Sequence, residues 1–143
     1  VSGAEARSQA FAIELRVYYE DTDAAGVVYY ANYLRFMERA RNEWLRARVG
    51  GPHELASKAH VLFAVRSVDV RFQAPARLDD VLRVTADPIS IRGASLAFRQ
   101  GCWRGTECVC AGEVGVVCVD ARTFAPRRLP RELMQVLAEA SAP

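Results

Sequence analysis

The chain is nearly without lysine: of its nineteen basic residues only Lys58 is lysine and the rest are arginine. Histidine is almost as scarce, with His53 and His60 alone, and neither stands in a GxSxG or HExxH setting. That leaves zinc hydrolysis without a ligand set of recognisable spacing and a serine–histidine–aspartate triad with little to draw on. No GxGxxG or GxxxxGK[ST] occurs, so the usual dinucleotide and P-loop sites are excluded. No apolar run approaches the ~20 residues of a membrane-spanning helix. The opening VSGAEARSQAFAIELRV has no signal-peptide hydrophobic region, so secretion is not expected unless a leader has been removed. There is no CxxC pair. Cys102, Cys108, Cys110 and Cys118 fall at even positions of strand-like sequence, which reads as small buried hydrophobes kept reduced rather than as metal ligands or disulfide partners.

What is present is the balance of a globular domain. The 143 residues are 51% hydrophobic and 25% charged, enough to build one core and one domain, 1–143, without a metal or disulfide. Residues 1 to about 10 are expected to form a short flexible N-terminus. A net charge of +2 is too small to point to nucleic acid. The arginine excess suits phosphate groups, although biased codon usage produces the same excess.

Periodicity supplies the elements. Phe11–Tyr19 alternates apolar and polar residues, as a half-buried strand does. After the turn-rich EDTDAAG, a helix is expected from about Ala31 to Val49. At ~100° per residue, Tyr33, Leu34, Met37, Ala40, Trp44, Leu45 and Val49 share one arc. Gly50-Gly51-Pro52 ends that helix, and Pro52–Lys58 adds a short one. Four strand-like stretches follow: His60–Ala74 with Val68, Val70 and Phe72 on one face, Val81–Ile91, Ala94–Trp103 and Glu107–Val119. Pro88 marks a bulge or an edge. Glu107–Val119 ends apolar on both faces and so belongs inside the sheet. A C-terminal helix is expected from Pro130 to about residue 140. Short connections favour an antiparallel sheet, and the single long helix needs that sheet as cover. The fold class is α+β, with a sheet curled round one helix.

The densest polar cluster, Glu20-Asp21-Thr22-Asp23, stands just ahead of the helix. Such clusters commonly serve as caps or turns. A carboxylate beside unpaired helix N–H groups is also a minimal acyl-transfer site, one base or nucleophile and one oxyanion hole. Glu38 and Arg41 fall inside the apolar arc, where they read as a buried pair shaping a site or as an interface or helix–sheet ion pair. The tyrosines at 18, 19, 29, 30 and 33 read as an acyl or aryl pocket or as packing.

Four collinear segments carry a resemblance. YYEDTDAAGVVYYANYLRFMERARNEWLR (residues 18–46), FQAPARLDDVL (72–82), ISIRGASLAFRQ (89–100) and VVCVDARTFAPRRLP (116–130) are similar to the 4-hydroxybenzoyl-CoA thioesterase family. The likeness is in particular to its Tol–Pal-associated acyl-CoA thioesterases of the YbgC type. The resemblance implies a hotdog fold, a curved antiparallel sheet wrapped round the long helix, in homodimers that share active sites and commonly assemble into homotetramers. It implies Asp23 as the catalytic carboxylate, the Tyr30 main-chain N–H as the thioester-oxygen donor, and a nucleotide-phosphate region at Arg92 and Ser95. Of the tyrosines read above from the residues themselves, Tyr29 and Tyr33 are the candidate substrate contacts. Tyr30 departs from the histidine usual in the YbgC type. The backbone donor survives that change, but a titrating imidazole does not, because tyrosine's ordinary pKa is about 10.

The expected protein is therefore a cytoplasmic acyl-CoA thioesterase needing no metal or other cofactor, with coenzyme A part of the substrate and Asp23 as nucleophile or general base. No nucleic acid or transmembrane partner is expected. Two rivals accompany this reading. One is a non-catalytic module holding acyl-CoA or acyl-carrier protein, and the other a hotdog dehydratase, for which the helix start lacks the histidine.

Overall fold

Alternation in Phe11–Arg16 forms β1, whose Phe11, Ile13 and Leu15 pack on the core while Glu14 and Arg16 face solvent. The computed structural model describes residues 10–140; apart from Ala10, the expected N-terminal segment lies outside the described residues. The first strand is shorter than its alternation suggests. Tyr18 and Tyr19 leave the sheet, and a 3-10 turn at Tyr19–Asp21 follows.

Helix α1 spans Tyr30–Val49 and buries Tyr33, Phe36, Met37, Ala40, Arg41, Trp44 and Leu45. Gly50 ends it in the left-handed region (φ 93°), its N–H bonded to the Arg46 carbonyl, a conformation glycine adopts without the Cβ penalty. The short helix expected after it is realised as one helical turn, Pro52–Glu54, continued by a π-helical turn at Leu55–Ala59. Four strands follow, β2 Val61–Phe72, β3 Val81–Arg92, β4 Ser95–Arg104 and β5 Glu107–Asp120, and then helix α2, Arg131–Ala140.

All strand pairings are antiparallel, in the order β1-β3-β4-β5-β2. β5 therefore lies inside the sheet, as its two apolar faces require. Pro88 sits at a bulge: the β3–β4 register shifts between Pro88 and Ser90, and the β1 ladder has already ended at Phe11–Ala86. The missing proline N–H thus costs no ladder bond on the β1 side. The sheet curls round α1, with Trp44 edge-on to Phe98 at 5.4 Å. Burying side chains of that size stabilises by about 1.5–3 kcal/mol each, so this contact surface fixes the helix on the sheet. The α+β arrangement is the one the resemblance implies.

β2 departs from the simple pattern. Its register shifts between Val65 and Ser67. Val61 and Phe63 face the core before the bulge, and Val70 does so after it, because one extra residue reverses a period of two. Val68 and Phe72 share the face of Val70 but stay largely exposed. The segment 73–80 then crosses from the β2 edge to β3, on the far side of β4 and β5, and this crossing fixes the site described next. No helix among the described residues is long and apolar enough to cross a membrane.

Candidate active site at the start of the long helix

The loop from Tyr18 to Tyr29 is built from its own backbone bonds. The Tyr18 N–H donates to Asp21 Oδ2 (2.9 Å), so Asp21 caps the 3-10 turn. The Asp21 carbonyl accepts from the Tyr29 N–H (2.9 Å) and from Asn32 Nδ2 (2.8 Å). Thr22 and Val28 then form an antiparallel bridge, and the Asp23 N–H donates to the Val27 carbonyl at 2.9 Å. Gly26 closes the turn at φ 81°, its N–H bonded to the Asp23 carbonyl. A residue with a Cβ would be strained there.

Asp23 is exposed. One of its oxygens, Oδ1, accepts from the Ala25 N–H at 2.9 Å, an Asx turn. The other oxygen has no partner among the described residues. The turn-forming role and a chemical role are therefore compatible, since one oxygen holds the loop and the other faces outward. Asp21 likewise has one oxygen tied, Oδ2 to the Tyr18 N–H, but it is half-buried where Asp23 is exposed.

The loop is fastened to the crossing segment. Val27 bridges Arg77, and the Val28 N–H donates to the Ala76 carbonyl at 2.8 Å. Ala76 is fully buried, and its own N–H donates to the Tyr33 hydroxyl at 3.0 Å. Tyr33, on the first turn of α1, thus holds the segment that holds the Asp23 loop. Burial raises the Tyr33 pKa, against the opposing effect of the Ala76 bond, so its phenol is neutral at physiological pH.

Tyr29 is the N-cap of α1 and supplies no side-chain cap. The N–H groups of Tyr30 and Ala31 find no acceptor among the described residues, so the positive end of the helix is left uncovered. Beside it lies an open groove of about 290 Å³ lined by Val28, Tyr30, Tyr33, Phe72, Ala74 and Pro75 among others. The rings of Tyr29 and Tyr30 lie 4.8 Å apart, and Phe72 meets Tyr30 at 6.0 Å and Tyr33 at 5.8 Å. A hydrogen bond to Tyr30, with its nearby charge and some burial, holds the Tyr29 pKa above the ordinary phenol value.

Of the expected site residues, this end of the molecule brings together Asp23, Tyr29, Tyr30 and Tyr33. Their exposures differ sharply, 59% for Tyr30 and 3% for Tyr33. Tyr33 meets the groove with its ring and keeps its hydroxyl for Ala76. Phe72 is an addition that the sequence signalled only as one apolar position of a strand. Arg92 and Ser95 lie elsewhere. They face each other across the β3–β4 hairpin, while β3 begins beside the Asp80 carbonyl that receives the Val17 N–H. Eleven residue steps of strand place the two ends of β3 up to about 36 Å apart.

The ion pair expected of Glu38 and Arg41 does not form. Glu38 is exposed, and the buried Arg41 donates to Gln100 Oε1 at 2.9 Å. Gln100 Nε2 in turn donates to the carbonyls of Met37 (2.9 Å) and Thr85 (3.1 Å). Burial lowers the Arg41 pKa, with the nearby Glu38 charge opposing. The reason for the correction is position: the sheet side of α1 at Arg41 meets the amide of Gln100, whereas Glu38 lies at the exposed rim of a second cavity of about 260 Å³. That cavity, which Arg41 also lines, lies about two to four helical turns beyond Tyr30 and is lined by neither Asp23 nor Tyr30.

Cys102, Cys110 and Cys118 are buried, and no disulfide joins the cysteines among the described residues. Burial raises all three thiols, Cys110 to about 12. They are packing residues, poor nucleophiles at neutral pH. No group of three or more metal-ligating side chains occurs among the described residues.

Comparison with known proteins places the chain in a family. The profile of the thioesterase-like superfamily matches residues 17–137. The acyl-CoA thioester hydrolase YbgC of Escherichia coli O6:H1 is 46% identical over 84% of this chain and 90% of its own length. The acyl-CoA thioesterase YbgC of Haemophilus influenzae is 39% identical over 86% and 90%. Among solved structures, a probable thioesterase from Bartonella henselae superposes with a TM-score of 0.80 at 34% identity, covering 83% of this chain and 98% of that one. The match spans the Asp23 loop, α1 and strands β2 to β5, and the chain belongs to the thioesterase-like superfamily.

Proposed function

We propose that the protein hydrolyses acyl-CoA thioesters at the start of α1, with Asp23 as the reacting carboxylate. One observation carries the reading: an exposed carboxylate, with one oxygen tied into a turn and the other free, is fastened immediately ahead of an uncapped helix N-terminus. Membership of the superfamily, and the activity named for the YbgC relatives, support it. The thioester carbonyl oxygen accepts from the Tyr30 N–H, where the helix dipole favours the negative charge that develops. Asp23 either attacks the carbonyl carbon, giving a mixed anhydride that water then opens, or takes a proton from the attacking water. Both routes balance as thioester plus water giving carboxylate, a proton and free thiol. The aromatic groove of Tyr30, Tyr33 and Phe72 receives the acyl group, with Tyr29 at its rim. Neither route needs a metal or other cofactor.

Arg92 and Ser95 bind the nucleotide end of the substrate. Their distance from Asp23 along β3 favours a homodimer in which one copy supplies the carboxylate and its partner the phosphate contacts; tetramers follow if two such dimers associate. The buried thiols of Cys102, Cys110 and Cys118 fit a reducing compartment such as the cytoplasm. The test is thiol release over a panel of aliphatic and aromatic acyl-CoAs. Turnover supports the reading, and tight acyl-CoA binding without release replaces it with a carrier module. A single turnover in ¹⁸O-labelled water tests the nucleophilic route: label found in the enzyme carboxylate, from water opening the anhydride at the Asp23 carboxyl carbon, identifies Asp23 as the nucleophile.

A further inference from the structure

Arg66 holds the one position within the β2–β5 ladder that has no partner, since Val65 pairs with Val116 and Ser67 with Gly115. It is the extra residue of the bulge, and a bulge re-aims a side chain. Here the side chain turns across β5 to the start of β4, where its Nη1 donates to Ser95 Oγ at 3.3 Å. Ser95 lies directly opposite Arg92, and opposed residues of an antiparallel pair share a face. Leu96 and Val116, next in sequence to Ser95 and its partner Val117, are buried toward the helix. Ser95, Arg92 and the Arg66 guanidinium therefore share the outer face of the sheet.

The charges there are uncompensated. Arg46, Arg99, Arg104 and Arg127 each have a carboxylate within 4 Å. Neither Arg66 nor Arg92 has one among the described residues, and both are exposed. Because Ser95 Oγ accepts from Arg66, its own proton is left to donate. Two guanidinium groups flanking a hydroxyl donor match the oxygens of a phosphate group.

We infer that Arg66 is a phosphate-binding residue, aimed by the β2 bulge to join Arg92 and Ser95 in holding a phosphate of the nucleotide end of a CoA thioester. The inference rests on the acyl-CoA reading above for the identity of the ligand, and on the bulge and the Arg66–Ser95 contact for the residue.

The test compares the parent protein with Arg66→Met on an acyl-CoA and on the matching acyl-pantetheine, which lacks the nucleotide. A second arm measures binding of adenosine 3′,5′-bisphosphate and of inorganic phosphate by calorimetry. The ratio of kcat/KM for the CoA ester to that for the pantetheine ester should fall about tenfold, through KM, and bisphosphate affinity should fall about as much. Arg66→Lys should recover part of both, since it keeps the charge but not the fork. A residue that only braced the hairpin would lower both esters alike, so an unchanged ratio overturns the inference. If the parent protein hydrolyses neither ester, the thioesterase reading fails, and the bisphosphate arm still decides on Arg66. Equal affinity in parent and variant overturns the inference, and weakened affinity in the variant supports it. Inorganic phosphate bound as tightly as the bisphosphate would overturn the nucleotide assignment.

Discussion

Replacing Tyr33 by phenylalanine removes one oxygen and leaves the ring, so the effect isolates a single hydrogen bond. The Ala76 N–H that donates to it is fully buried. Stranding a buried donor costs about 1–3 kcal/mol, whereas the ring packing against Phe36 and Phe72 is untouched. With a urea dependence of about 2 kcal/mol/M, a loss of about 2 kcal/mol moves the unfolding midpoint down by about 1 M. Native-state hydrogen exchange at the Ala76 amide should quicken by about tenfold to a hundredfold, because the loss is local to that group. Tyr19→Phe, at an 80% exposed position, is the control and should stay within about 0.5 kcal/mol of the parent. The Asp23 loop hangs from the Ala76 carbonyl through Val28, so thiol release should fall in Tyr33→Phe and not in Tyr19→Phe. An unchanged midpoint and unchanged Ala76 exchange would refute the argument that Tyr33 anchors the crossing segment.

Three further predictions concern the oxyanion donor, the buried polar chain and acid. Tyr30→Phe should keep activity within about tenfold, because the backbone donor remains, whereas Tyr30→Pro should lose far more by removing that N–H; initial rates on one acyl-CoA decide it. Gln100→Leu leaves the Arg41 guanidinium and two buried carbonyls without their amide partner, and should cost about 2–3 kcal/mol or more in urea unfolding. The Asp80 carboxyl is pushed up by burial, but bonds from the Arg77 N–H and Arg104, with their charges, prevail and hold it below its ordinary value. Asp120 is held low by the Thr123 and Arg122 N–H groups. Both groups are depressed, so their stabilisation is full above about pH 4 and is lost as pH falls through the folded values. Urea midpoints measured from pH 5 to pH 2 should fall less steeply in Asp80→Asn than in the parent.

Local pattern carried the long helix, its stop at Gly50 and the antiparallel strands, because each rests on periodicity or on a glycine that the backbone needs. The Arg66 bulge left no such mark. One inserted residue reverses the inward face of β2, and residues 60–74 read equally well as an unbroken strand. Arg41 and Gln100 are fifty-nine residues apart, and the nearer Glu38 is the more obvious partner on a helical wheel. The site was legible in part. The acidic cluster ahead of the helix and the tyrosines around it were visible, and family likeness singled out Asp23 and Tyr30. The fastening of the loop was not, because it runs through backbone groups of Val28, Ala76 and Arg77 that carry no side-chain signal. The separation of Arg92 and Ser95 from Asp23 follows from strand order, which spacing alone does not determine.

The measurement that bears most directly on the account is steady-state thiol release by Asp23→Asn. The substitution keeps the shape of the side chain and an oxygen able to accept from the Ala25 N–H, so the turn and the fold should persist in circular dichroism and urea unfolding. It removes the charge that would attack the thioester or take a proton from water. The account predicts a fall in kcat of about a hundredfold or more, with acyl-CoA binding retained, and a milder effect for Asp21→Asn. Parental kcat in a folded Asp23→Asn protein would contradict it.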